Sequence, residues 1–274
     1  MHGPGQVSGF ADARFVTPLL IAAALCGCQT VPETRVVGPV RGLLWVFPGV
    51  GAGTISVWPA CQGLRDGGVD AEIRVMQWDR PWPDILGQLT DHEANQAQAA
   101  DVARQIAAYR ERHPGAAVDL VGYSGGGGLA LMVAEALPEG VHVRNVVLAQ
   151  AAVGPTHDLT RALRHVDGQL VNFYSPHDWL ILGAGTEAFG TVDRQYVASA
   201  GKEGFNLAVA APDETLRAKV VQVSWTPQMI WSGHLGNHVS IMGYTWNRDY
   251  VAPHLRAGRQ PGATRPSASS TSGS

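Results

Sequence analysis

Ala117-Val118-Asp119-Leu120-Val121 runs directly into Gly122-Tyr123-Ser124-Gly125-Gly126, and then into Leu129-Ala130-Leu131-Met132-Val133-Ala134-Glu135-Ala136-Leu137. The first segment is a short apolar run of the kind that forms a buried strand. The third has the length and apolar content of a helix. G-x-S-x-G between a strand and a helix holds a serine on a very tight turn with its hydroxyl exposed. Small residues two positions before and two after it let the strand and helix backbones approach closely. The chain contains 33 glycines, so the five-residue pattern takes its meaning from the flanking strand and helix.

Outward from this point, strands and helices alternate. Gly42-Leu43-Leu44-Trp45-Val46-Phe47 is a strand that Pro48-Gly49-Val50-Gly51-Ala52-Gly53 breaks. A helix is expected over Thr54 to Arg65 and a strand over Ala71 to Trp78. A long helix is expected over Ala94 to Arg112, with Ala99, Val102, Ala103, Ile106 and Ala107 on one face. Val143 to Ala149, Gln169 to Tyr174 and Lys219 to Trp225 are further strands. Asp158 to Val166 reads as a short helix, and Trp246 to Leu255 as a closing one. Continuously apolar strands alternating with helices predict an α/β fold: a mostly parallel sheet covered on both faces. About 20 residues separate the strands ending at Ala149 and Tyr174, too few for a large inserted cap.

Composition sets the outer bounds. The 274 residues are 45% hydrophobic and 16% charged, as in globular chains that bury a full core. The net charge is −3 and no long basic run occurs, so nucleic acid is not an indicated partner. The apolar stretch Phe15 to Leu25, preceded by Arg14, is too short to span a bilayer and reads as a secretory signal. It ends in Leu25-Cys26-Gly27-Cys28, which resembles a bacterial lipoprotein signal of the L-x-G-C type. That resemblance implies cleavage before Cys28, lipid attachment to Cys28, and a membrane-anchored protein of the cell envelope; an ordinary cleaved signal is the alternative. The expected organisation is a signal over 1–27, a tether over 28–40, a folded domain over 41–256 and a disordered, Gly/Pro/Ser/Thr-rich tail over 257–274. With Cys28 acylated, Cys61 has no disulfide partner and reads as a buried, inert thiol.

The succession of strand, loop, helix, strand, helix, strand and G-x-S-x-G resembles the α/β-hydrolase fold, over about Gly42 to Leu255. The resemblance implies a serine hydrolase of the esterase or lipase type, needing no metal or organic cofactor, whose triad runs Ser, acid, His along the chain. It implies Ser124 as nucleophile. Asp178, four residues past Tyr174 in the loop after the penultimate strand, takes the acid position. Asp158 is the second candidate, although its place before a helix suits an N-cap. For the base, His238 and His234 both follow the last strand. His238 is preferred because it directly precedes Val239-Ser240-Ile241-Met242, which leads to the closing helix. The oxyanion hole is expected from the backbone N–H groups of Gly125 and Val50.

Other readings of these segments are weaker. His234 and His238 have H-x-x-x-H spacing, but Gly236 lies between them and the glutamate of H-E-x-x-H is missing, which argues against zinc. Gly49 and Gly51 begin a dinucleotide-type fingerprint whose third glycine position is Thr54. Trp58, Trp78, Trp82, Trp179 and Trp231 either line an apolar acyl pocket or simply pack. Gly183 to Phe205 fits no named mechanism. A hydrolase fold serving as a binding lipoprotein, and a different chemistry on the same fold, remain the competing functions.

Overall fold

The computed structural model describes residues 42–51, 53–77, 90–178, 191–194 and 197–256. The expected signal over 1–27, Cys28, the 28–40 tether and the 257–274 tail lie outside these residues. So do Trp78, Trp82, Trp179 and residues 183–190, 195 and 196 of the stretch from Gly183 to Phe205.

Six strands form one parallel sheet: β1 (Gly42–Phe47), β2 (Glu72–Val75), β3 (Ala117–Tyr123), β4 (Asn145–Ala149), β5 (Leu170–Tyr174) and β6 (Val220–Ser224), in the order β2-β1-β3-β4-β5-β6. The continuously apolar strands are buried on both faces, as their sequences require. Every residue of β1, and every residue of β3 after Ala117, is buried. Side chains alternate between two core layers. Leu43, Trp45 and Phe47 of β1 face one layer with Leu120 and Leu148. Leu44 and Val46 face the other with Val121, Val147 and Phe173.

The first layer is closed by α2 (His92–Arg112), α3 (Gly125–Glu135) and α4 (Thr160–Arg164). The second is closed by α1 (Trp58–Asp66) and by the C-terminal segment through Trp246, Val251 and Leu255. The fold-class expectation therefore holds, including the single short helix between β4 and β5.

Element boundaries differ where a local group competes. The expected helix over Thr54 to Arg65 is two pieces, Gly53–Ser56 and Trp58–Asp66. Pro59 stands in the first turn of the second piece, where its missing N–H costs nothing, so the helix restarts there. The long helix begins at His92 rather than Ala94, because Asp91 Oδ1 accepts the Ala94 N–H at 3.1 Å as an N-cap. The expected strand over Ala71 to Trp78 is only Glu72–Val75, an edge strand. The closing helix begins earlier, at Tyr244–Trp246. It widens to a π-turn over Asn247–Val251 and tightens to 3₁₀ over Ala252–His254, where Pro253 removes a donor.

The chain goes from β1 out to β2, then crosses back to β3 on the other side of β1. The β1/β3 junction is thus the point where strand order reverses. In open α/β sheets the crevice outside the carboxyl ends of strands at such a point is where ligands bind. Ser124 follows the end of β3, and Pro48-Gly49-Val50 follows the end of β1.

Candidate active site

Ser124 has φ 55° and ψ −126°, a backbone conformation that non-glycine residues rarely hold. Its neighbours explain how it is held. A Cβ on Gly122 would stand 2.5 Å from the Gly126 carbonyl oxygen and the Gly127 Cα. A Cβ on Gly126 would overlap the carbonyl oxygens of Phe47 and Pro48, and would lie 2.6 Å from the Phe47 carbonyl carbon. Both glycines of the G-x-S-x-G pattern are therefore required by backbone contact, one with α3 and one with the exit of β1. Two hydrogen bonds pin the turn to β4: Ser124 N to Ala149 O at 3.0 Å and Ala152 N to Ser124 O at 3.0 Å. Behind it, the Tyr123 hydroxyl donates to Asn247 Oδ1 at 2.5 Å.

The structure brings Ser124, His238 and Asp178 into one chain of hydrogen bonds. The Asp178 carboxylate, 2% exposed, lies 2.6 Å from His238 Nδ1. A carboxylate can only accept, so Nδ1 carries the proton and Nε2 is left as the acceptor. Ser124 Oγ, 2.7 Å from Nε2, then donates to it. This is the arrangement in which a ring nitrogen can take the serine proton while the acid holds the tautomer.

His234 sits elsewhere. It is 2% exposed, its ring lies edge-on to Trp246 with ring centres 4.9 Å apart, and its Nδ1 is hydrogen-bonded to Ser240 Oγ at 2.7 Å. Burial pulls its pKa down to about 4, so it is neutral near pH 7. Asp158 caps α4 from outside, its Oδ1 accepting Thr160 N at 2.9 Å. Cys61 is buried, and burial pushes its thiol up to about 11, which makes it a poor nucleophile. Among the described residues no cluster of His, Cys, Asp or Glu could hold a metal ion.

One expected oxyanion donor adjoins the serine in the chain, and the other belongs to a loop that lies against it. Gly125 opens α3, so its N–H is one of the first four of a helix and has no intrahelical acceptor. The loop bearing Val50 lies against the nucleophile. A Cβ on Gly49, one residue before it, would be 3.2 Å from Ser124 Cβ and 3.7 Å from Ser124 Oγ. The positive end of the α3 dipole points at the same place.

Two contributors were not visible in the sequence. Gly236, at φ +81°, offers its carbonyl to Ser175 Oγ at 2.7 Å and to Gln150 Nε2 at 3.4 Å. Gln150 is fully buried and itself holds φ 46°. The loops after β4, β5 and β6 are thus tied at one atom, two residues from His238. Only the turn residues Ser175-Pro176 hinted at this.

The second contributor is His157, whose Nε2 meets Glu135 Oε1 at 2.8 Å and whose Nδ1 meets Asp193 Oδ2 at 3.1 Å. Asp193 also accepts the Gly154 N–H and the Thr191 hydroxyl. Val192 beside it packs on Gly128 of α3. Part of the unassigned stretch from Gly183 to Phe205 is therefore a clamp that fastens the return from the acid loop to α3. A cleft of about 610 Å³ opens beside this clamp, lined by His92, Gln96, Met132 and Arg161 among others. It lies along α2 and α3 toward Glu135, at the far end of α3 from Ser124.

Burial opposes the charge on His157, but its hydrogen bonds and attraction to Asp193 and Glu135 prevail and raise its pKa from 6.5 to about 10. Folding favours the charged form. Its stabilisation is therefore complete below about pH 6.5 and is lost as pH rises through about 10. His157→Gln is expected to cost about 2 kcal/mol at pH 7, a fall of about 4–8 °C in melting temperature. The gap between variant and parent should close as pH rises to 10. A gap unchanged from pH 6 to pH 10 would show that the charge contributes nothing.

A family model agrees with this architecture. Residues 73–175 match the sequence model of a family described as alpha/beta hydrolase fold. No curated protein matches the chain. Among solved structures, the chain is similar to a carboxylesterase from Mesorhizobium loti, at 17% identity over 69% of this chain and 81% of that one, TM-score 0.41. It is also similar to the esterase domain of a Rhodothermus marinus protein, at 15% identity over 80% and 86%, TM-score 0.41. A third is a lipase/esterase from Lactobacillus plantarum, at 14% identity over 67% and 76%, TM-score 0.40. The parallel sheet, its strand order and the family match define the fold as that of the α/β hydrolases.

Proposed function

We propose that this protein is a serine hydrolase that cleaves carboxylic esters through an acyl-enzyme. The observation that carries the reading is the Ser124–His238–Asp178 chain of hydrogen bonds, at 2.7 and 2.6 Å, built on a strained serine at a helix N-terminus. Ser124 Oγ attacks the ester carbonyl carbon as His238 Nε2 takes its proton. Asp178 accepts from Nδ1 and stabilises the imidazolium. The carbonyl oxygen gains charge and is met by the N–H groups of Gly125 and Val50. His238 then gives the proton to the departing alcohol, the acyl group stays on Ser124, and a water activated by His238 releases the acid.

The test is labelling of the purified protein with a fluorophosphonate probe beside Ser124→Ala. Stoichiometric labelling that disappears in the variant is expected. A folded wild type that takes no label would point to a binding protein on a hydrolase fold.

A further inference from the structure

Asn247 joins the two halves of the site from behind. Its side chain is fully buried. Nδ2 donates to the Ile241 carbonyl at 2.9 Å and to the Gly243 carbonyl at 2.8 Å. Carbonyls can only accept, so the amide has one orientation, and Oδ1 is left to accept the Tyr123 hydroxyl at 2.5 Å. One end of this bridge is therefore the residue before Ser124. The other is the turn Val239–Met242 and the glycine after it, directly beyond His238.

Each end needs what the bridge supplies. Tyr123 is fully buried, so without Asn247 its hydroxyl would have no water to turn to. Val239–Met242 is a four-residue 3₁₀ turn in which only Ile241 is buried. An element this short, with one buried side chain, is held weakly by its own packing. Ile241 is also the residue whose carbonyl Asn247 holds. The Gly243 carbonyl accepts the Asn247 backbone N–H as well, at 3.2 Å, so side chain and backbone clasp the same oxygen. Asn247 opens the π-turn over Asn247–Val251, and wide turns of this kind occur often at functional positions. A buried polar group with its partners in place fixes one arrangement, because any other strands a donor or an acceptor.

We propose that Asn247 is a positioning residue for the reaction. Held to Tyr123 on one side and to Ile241 and Gly243 on the other, it sets the 2.7 Å separation of Ser124 Oγ from His238 Nε2. The inference rests on the hydrolase reading above. The polar atoms of Asn247 meet these three protein groups, so it acts on the chemistry only through them. Sliding of the His238 segment against the serine turn would break the bridge, and misplacing reacting groups by about 1 Å costs about 10²-fold in rate.

The test is fluorophosphonate labelling of the full chain over a range of probe concentrations, which separates the saturating rate from the concentration at half-saturation. Tyr123→Phe removes one oxygen and keeps the ring. Asn247→Ala removes the whole bridge. Per folded molecule, counted by circular dichroism, the saturating rate should fall about tenfold in the first and about 10²-fold in the second. Half-saturation should stay where it is, since binding of the probe is untouched. Two combinations identify the route. Adding Tyr123→Phe to Asn247→Ala should slow labelling no further, because both break one bridge. Adding Tyr123→Phe to His238→Ala should also cost nothing more, because the geometry it disturbs serves proton transfer to His238.

A folded Tyr123→Phe that labels within about twofold of the parent's rate overturns the inference and leaves Asn247 a role in stability alone. So does a Tyr123→Phe loss that persists in full beside His238→Ala, since the bridge would then act on another part of the site. If Asn247→Ala gives no soluble protein, Tyr123→Phe and its combination with His238→Ala decide. A parent that labels at the same rate as its variants overturns the positioning role and leaves the hydrolase reading standing. A folded parent that takes no probe overturns both.

Discussion

Replacing His238 with alanine is expected to lower kcat/KM on a dissolved ester by about 10⁴- to 10⁶-fold, the loss seen when a base and nucleophile act as one unit. Replacing His234 should leave it within about tenfold of the parent, since a packing change away from the reacting atoms reaches chemistry only indirectly. The two histidines are four residues apart on one loop, yet their surroundings oppose each other. His238 stands between an acceptor and a donor of protons, 2.6 Å from Asp178 Oδ2 and 2.7 Å from Ser124 Oγ. Among the described residues no carboxylate is hydrogen-bonded to the His234 ring; it lies edge-on to Trp246 and its pKa is pulled down to about 4 by burial.

Combining His238→Ala with Ser124→Ala gives a sharper form of the prediction. If the pair works as a unit, the double variant should be hardly slower than either single one. Losses that multiply would mean that His238 acts on something other than the Ser124 proton. His234→Ala carries a different cost. Deleting a buried ring from against Trp246 should reduce stability by about 2–4 kcal/mol, which a urea titration reads independently of rate.

The fold was legible because its signals are local and periodic. Continuous apolar runs separated by helix-length segments specify a buried parallel sheet without reference to anything distant. The placement of Ser124 was legible for a related reason: a glycine two residues either side is demanded by backbone contacts at 2.5 and 2.6 Å, so geometry appears as spelling. Strand order singles out Asp178, the carboxylate that the structure sets beside His238 Nδ1. His238 was separated from His234 by position relative to the closing helix, a family habit rather than a rule of chemistry.

Contacts between distant segments left no mark on the sequence. Gln150 looks like any residue that ends a strand, and its reach to the Gly236 carbonyl crosses 86 positions. His157 and Asp193 are 36 positions apart, and neither lies in a recognisable motif. The four-residue helices Ala200–Glu203, Leu207–Ala210 and Glu214–Arg217 are too short for any hydrophobic period to show. Boundaries failed where one side chain overrode propensity, as Asp91 did at the start of α2 and Pro59 at the start of α1. Of the tryptophans, Trp58 and Trp231 are exposed, at 44% and 90%, rather than packed in the core.

Gly126→Ala is expected to be among the most damaging single-methyl changes at the described glycines. The added Cβ meets the Phe47 and Pro48 carbonyl oxygens and lies 2.6 Å from the Phe47 carbonyl carbon. None of these atoms belongs to a flexible side chain that could turn away. Relief requires moving either α3 or the exit of β1, and both are fixed. Gly126 and Leu129 of α3 are buried, and β1 is hydrogen-bonded between β2 and β3 along its length. Overpacking a core typically costs about 1–3 kcal/mol when side chains can shift. With backbone on both sides the expected cost is about 4 kcal/mol or more, a large share of the 5–15 kcal/mol that holds a typical domain together.

Gly140→Ala is the matched control. Gly140 also holds a positive φ, 76°, but nothing lies within 4 Å of its missing Cβ, so only the backbone strain of about 1–2 kcal/mol is at stake. Urea midpoints should therefore rank parent, Gly140→Ala and Gly126→Ala in falling order, with the last giving little soluble protein. Any Gly126→Ala that does fold should also take the fluorophosphonate probe far more slowly, because displacing β1 from α3 shifts the loop that lies against Ser124. A variant as stable as Gly140→Ala, labelling at the parent's rate, would mean that β1 and the serine turn are not pressed together as the structure has them.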